Sequence, residues 1–132
     1  MESIAVNSKK RNELVDISLK VKEVVKKSGV KEGVCILFCA HTTAALTINE
    51  NADPSVQKDI INYLNRLVPA DEGYLHAEGN SDSHIKSSLL GADLQIIIEK
   101  EKLALGTWQG IYFCEFDGPR SRKVYVKIIN QC

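Results

Sequence analysis

From residue 93 to residue 129 the chain reads as strand after strand, and no other feature constrains its fold as much. Segments 93–99, 103–105, 110–116 and 124–129 are rich in β-branched and aromatic residues. They are separated by a Lys100-Glu101-Lys102 turn, a short stretch around Gly106, and an Asp117-Gly118-Pro119 turn. Strands joined by breaks this short pair antiparallel, because a parallel pair needs a crossover of a dozen residues or more. The last segment alternates, with Val124, Val126 and Ile128 on one face and Tyr125 and Lys127 on the other. That period of two predicts a sheet with one face buried.

The first two thirds supply further strands and the helices. Segments 3–6 and 14–17 read as short strands around a polar turn at residues 7–12. Ser18 is placed to cap a helix carrying Val21, Val24 and Val25 and ending at Gly29. Segment 34–39 is a continuous apolar run bounded by Gly33, hence a buried strand, and 45–48 resumes as strand after a break at His41. Asp53-Pro54 is a strong helix start, with Val56, Ile60, Tyr63, Leu64 and Leu67 on one face and a stop before Pro69. Residues 70–83 form a polar loop, and 84–90 a short helix ended by Gly91. These elements predict one α+β domain over residues 1–132, a β-sandwich-like antiparallel core with helices packed on one side.

Composition excludes some partners. Lys plus Arg and Asp plus Glu each count 17, so there is no basic surplus to hold nucleic acid or an anionic membrane. Apolar runs are too short to span a bilayer, and the N-terminus lacks a signal-peptide pattern, so the expected location is the cytoplasm. Cys35, Cys39, Cys114 and Cys132 lack metal-knuckle spacing and are expected to be reduced.

Three polar clusters could carry chemistry. His41, His76 and His84 are the three histidines, each in a break or loop beside small polar or acidic residues. Imidazoles with nearby carboxylates can build an open catalytic metal site, but spacing alone does not gather them. The second cluster, Asn49-Glu50-Asn51-Ala52-Asp53, leads into a helix; Asp53 is accounted for as its cap, and Glu50 makes this corner better for a cation or hydroxyl than for a phosphate. The third joins Gly106-Thr107-Trp108-Gln109 to the turn carrying Glu115, Asp117, Arg120 and Arg122. Guanidinium forks there suit phosphate, and they suit salt bridges to Glu115 and Asp117 equally well.

Taken in order, the motifs His41-Thr42-Thr43 through Asp53-Pro54, His76 with Asn80 and Ser83-His84-Ile85-Lys86, Leu90-Gly91, Gly106-Thr107-Trp108-Gln109, and Glu115 through Arg122 resemble the YjbQ family, also called the secondary thiamine-phosphate synthase family. The resemblance covers residues 14–129. It implies a homotrimer with polar sites near subunit boundaries. It also implies a weak synthase activity that joins a pyrimidine methyl diphosphate to a thiazole phosphate and releases pyrophosphate. Residue by residue, His41, His76 and His84 match the family's histidines, and they are expected to bind a divalent metal, zinc among the candidates, or else to bind phosphate directly. The resemblance gives Glu50, Asp53 and Glu115 catalytic roles. Thr42, Thr43, Asn80, Lys86, Arg120 and Arg122 become contacts to a small phosphorylated molecule. Two other readings stand beside the transferase: a metal-dependent hydrolase, and a non-catalytic trimeric binding protein for a phosphorylated ligand.

Overall fold

A computed structural model describes residues 1–131; Cys132 and any expectation about it lie outside them. The elements run β1 (Glu2–Asn7), β2 (Glu13–Asp16), α1 (Ser18–Ser28), β3 (Gly33–Cys39), β4 (Ala44–Glu50), α2 (Pro54–Leu67), α3 (Ser81–Leu90), β5 (Asp93–Glu99), β6 (Lys102–Leu103), β7 (Gln109–Glu115) and β8 (Ser121–Asn130). The strands make two antiparallel sheets, ordered β1-β8-β3-β5-β6 and β2-β7-β4. The α+β expectation holds.

The main core lies between the sheets. Val6, Cys35, Leu37, Ile98, Ile111, Phe113, Val124 and Val126 fill it, and α1 adds Val21 and Val25. Each such side chain contributes about 1.5–3 kcal/mol of burial. Cys35 and Cys39 share this buried face, and burial pushes the Cys35 thiol up to about 11. A second core, with Ala45, Leu64, Tyr112, Cys114 and Phe116, lies between the smaller sheet and α2 and α3. Thus α2 and α3 cover one side, while α1 joins the core between the sheets.

The caps show where local reading succeeded. Asp53 Oδ1 accepts the Ser55 N–H at 2.9 Å and Pro54 opens α2. α1 differs from expectation: its cap residue is Ile17, which offers no side-chain bond, and Asp16 just before it takes the Ser18 N–H at 2.8 Å. Ser18 is the first helical residue, and its Oγ accepts the Ile111 N–H at 2.8 Å, tying α1 to β7. Gly29 ends the helix in the left-handed region at φ 70°, which a side chain would strain. α3 begins three residues before the predicted start, at Ser81, with its entry fixed by a Ser83 Oγ bond to the Phe116 carbonyl at 2.5 Å.

Candidate functional site

The ladder between β4 and β7 decides which motif residues can meet. It pairs Ala44 with Glu115 at one end and Glu50 with Gln109 at the other. Seven residues of strand span roughly 20 Å. Glu115, His41, Thr42 and Thr43 therefore belong to one end, and Glu50 and Asp53 to the opposite end. Within one chain the structure does not bring Glu50 and Asp53 to the histidines, as the predicted common site required.

The first end is built on a buried frame of ion pairs. Glu115 is fully buried, and its carboxylate accepts from Arg122 Nη2 at 2.5 Å, Arg122 Nε at 2.9 Å, Ser8 Oγ at 2.7 Å and the Asp117 N–H at 3.0 Å. Burial alone would raise this carboxyl; the bonds from Arg122, Ser8 and Asp117 outweigh it and hold the group below its ordinary range. Arg122 also donates to Thr43 Oγ1 at 2.8 Å. Beside this pair, buried Asp82 takes both nitrogens of Arg11 at 2.9 Å and Lys86 Nζ at 3.2 Å. Lys86 spends its remaining donors on Asn65 Oδ1 at 2.7 Å and Asn12 Oδ1 at 3.3 Å. Burial lowers Lys86, with Asp82 opposing.

This frame changes the expected roles of four residues. Lys86, Arg122, Thr43 and Glu115 turn their polar atoms to protein partners, so in this chain they hold elements together instead of facing a ligand. Lys86 joins α3 to α2 and to the β1–β2 loop, and Arg122 joins β8 to β7 and to Thr43 just before β4. The local sequence gave no sign of Ser8, Arg11, Asn12, Asn65 or Asp82 as members. Their partners lie up to 107 positions away, beyond any spacing rule.

The histidines remain on the surface of this end. His76 and His84 face each other edge-on, ring centroids 5.4 Å apart, and His76 Nε2 is 3.7 Å from Glu78 Oε2. They line a depression of about 420 Å³ with Tyr74, Leu75, Ser81 and Ile85. His41 sits where the chain bends from β3 to β4, edge-on to Phe113. Its Nε2 lies 3.1 Å from both the carbonyl and the N–H of Lys123, donating to the first when that nitrogen carries the proton and accepting from the second when it does not. Burial and the Arg122 charge lower this imidazole, against the Lys123 backbone. Ser87, one turn beyond His84, donates to the Thr42 carbonyl at 2.7 Å, which seats α3 against the His41 loop. Exposed Arg120 contacts the Asp117 carboxylate at 3.0 Å, and that carboxylate also holds Asn80 Nδ2 at 2.9 Å.

This set does not fit the expected divalent metal within one chain. Among the described residues no group of three or more His, Cys, Asp or Glu side chains is arranged to hold an ion. Two imidazoles face each other, and the third is tied to the Lys123 backbone. The arrangement can instead donate hydrogen bonds to an anion.

At the far end, Asp53 is occupied as a helix cap, its Oδ1 also taking Ser55 Oγ at 2.7 Å. Gln57 Nε2 bridges the Glu50 carbonyl and Tyr112 Oη, the latter at 2.7 Å. Gly110 leaves no room for a Cβ, which would lie 2.7 Å from Asn51. The 106–109 turn is closed by a Gly106 N–H bond to Gln109 Oε1 at 2.8 Å, and it presents Trp108 63% exposed.

Comparison with known proteins places this architecture. Residues 2–131 match the family described as "UPF0047 protein YjbQ-like". A UPF0047 protein of Methanocaldococcus jannaschii is 56% identical over 124 residues, 94% of this chain and 90% of that one. YugU of Bacillus subtilis, another UPF0047 protein, is 45% identical over 98% of both chains. The crystal structure of an uncharacterized YjbQ/UPF0047 family protein from Clostridium acetobutylicum superposes with a TM-score of 0.96 at 53% identity, covering 98% of this chain and 100% of its own. A protein of unknown function from Sulfolobus solfataricus gives 0.95 at 34% identity, covering 98% and 96%.

Proposed function

The chain belongs to the UPF0047 YjbQ-like family, and from that premise we propose that its histidine end binds a small phosphorylated molecule and acts as a weak thiamine-phosphate synthase-like transferase. In that reaction the thiazole nitrogen attacks the pyrimidine methylene carbon. The carbon–oxygen bond breaks, and the bonding pair leaves with pyrophosphate. Catalysis then consists mainly of stabilising the charge that develops on the leaving group. The observation that supports this reading is the division of labour at that end. His76 and His84 face each other on an open depression while the neighbouring motif charges are spent on the fold.

In this reading the ring N–H groups of His76 and His84 hold phosphate oxygens, and half-exposed Arg120, which shares the Asp117 carboxylate with Asn80 at the start of α3, supplies a fixed positive charge. His41, lowered by burial and the Arg122 charge, is the group that accepts a proton, at Nδ1 when its Nε2–H is donated to the Lys123 carbonyl. The rigid frame beneath holds these side chains in place, so little reorganisation accompanies binding. The expected homotrimer belongs to the same proposal. The outer face of the five-stranded sheet supports it, with Phe38, Ile97 and Ile129 roughly half-exposed and Val34 directly between Ile97 and Ile129. Sedimentation of the intact chain tests that part.

The activity is tested by incubating purified protein with both substrates and measuring thiamine phosphate and pyrophosphate together. Equal amounts of the two products are expected, in a slow reaction dependent on His84. Release of inorganic phosphate or pyrophosphate without thiamine phosphate would replace the transferase with a hydrolase. Absence of both products would leave a binding protein.

A further inference from the structure

On the side of α1 that faces the β5–β6 hairpin lies a cleft of about 510 Å³, distinct from the histidine end. Val25 and Leu103 line it together with Lys22, Lys26, Lys100, Glu101 and Lys102. Four lysines and one glutamate thus border one hollow, on a chain whose positive and negative residues balance at 17 each. Among the described residues none of the four lysines takes part in a salt bridge. Like charges brought to one cleft repel, even though all four lysines are exposed to solvent.

The hairpin that carries two of these lysines is unusual in its backbone. Lys100 and Glu101 both lie in the left-handed region, at φ 53° and 68°. Asn-Gly or Asp-Gly is the ordinary solution for such a turn, and a side chain there costs roughly 1 kcal/mol per residue. The turn is held in place by the Lys100 N–H on Glu32 Oε1 at 3.2 Å and the Glu101 N–H on the Lys31 carbonyl at 3.0 Å. Lysines on an edge strand such as β6 are a common guard against sheet-to-sheet association. That explains Lys102 alone. It does not explain Lys22 and Lys26, which approach the same space from the helix, nor a strained turn that spends its left-handed positions on Lys and Glu.

We propose that this cleft is a binding site for a small polyanion carrying two or more phosphate groups in a chain. The four ammonium groups would neutralise it, and the Val25–Leu103 floor would set its depth. The site is independent of the histidine end and of the reaction proposed there. The test uses the full chain and inorganic tripolyphosphate, with titration calorimetry for affinity and amide NMR shifts for location. The expected result is saturable binding whose shifts centre on residues 22–26 and 100–103. Affinity read from the shifts of residues 22–26 and 100–103 should fall about tenfold in a Lys22→Gln/Lys100→Gln double variant, as two charge-assisted contacts are lost, and at those same residues stay unchanged in His84→Ala. A second variant, Lys100→Gly, removes one ammonium group and relieves the backbone at that position; it should melt no lower than the parent and still bind more weakly. The proposal is overturned if tripolyphosphate shifts only residues of the histidine end, if the glutamine variant binds as tightly as the parent, or if no binding is seen at millimolar ligand.

Discussion

Arg120 and Arg122 stand two residues apart on one turn, yet one belongs to the surface and the other to the interior. Arg122 is 6% exposed and gives its guanidinium to Glu115 and Thr43, whereas Arg120 is half-exposed and contacts only Asp117. The same contrast separates Lys86 from its neighbour His84 on α3. A charge buried with all its donors matched is committed to holding elements together, since freeing it for a ligand would strand its partner in a medium of low dielectric. A charge or imidazole at the rim carries no such debt. The motif residues are therefore of two kinds: a frame, and the few side chains the frame presents.

Breaking the frame should have the largest effect. Arg122→Met leaves the Glu115 carboxylate buried without its main partner, and a loss of about 3–5 kcal/mol of folding stability is expected. Adding Glu115→Gln to that variant removes the stranded charge and should recover part of the loss. Arg120→Met, by contrast, breaks an exposed pair and should cost less than about 1 kcal/mol. Denaturant unfolding of the three variants measures this. Similar losses for Arg120→Met and Arg122→Met would erase the distinction drawn here.

That distinction was not legible in the sequence, although much of the fold was. The antiparallel run after Asp93, the Asp53-Pro54 helix start and the inward face of β8 are local signals, written within a few residues of one another. The frame is not local. Glu115 depends on Ser8, and Asp82 on Arg11, and no rule of spacing links positions so distant. From the sequence, salt bridges to Glu115 and Asp117 and a phosphate site remained equal readings of the arginine turn. Burial separates them: Arg122 has been taken by the first and Arg120 is left partly free for the second. The division of the acidic residues between two ends was equally hidden, because it follows from the length of the β4–β7 ladder.

Acid should act on the two kinds of group at different pH. Glu115 and Asp82 titrate below their ordinary ranges in the folded protein, because Arg122 and Arg11 outweigh the cost of burial. A depressed folded value means that the unfolded chain takes up protons first. The stability these groups supply is thus present above about pH 4.3, the ordinary carboxyl value, and is lost as pH falls through the folded values. His41 is also depressed, so a smaller loss should begin below about pH 6.5. Unfolding free energies between pH 8 and pH 3 should show a shallow decline and then a steep one. In His41→Gln the shallow part should vanish and the steep part remain; a single decline unaffected by that change would mean that His41 carries no such linkage.

The smallest effect on stability is expected where the effect on function is greatest. His84 is partly exposed on α3, and its ring meets His76 edge-on, with no hydrogen bond from its ring to the frame among the described residues. The side chain is not part of either core. His84→Ala should therefore change stability by no more than about 0.5 kcal/mol, while removing one of the two imidazoles that line the depression. The proposed synthase activity should fall by at least about a hundredfold, the scale of a lost acid–base or charge-stabilising group. Lys86→Met, two residues on, should do the reverse: destabilise the chain by leaving Asp82 with Arg11 alone, but spare activity in the fraction that remains folded. Measuring unfolding and activity on both variants sets frame against rim on a single helix. If His84→Ala unfolds the domain, or Lys86→Met abolishes activity while the chain stays folded, the two residues exchange roles and the proposed site moves inward, to the Asp82–Lys86 pair.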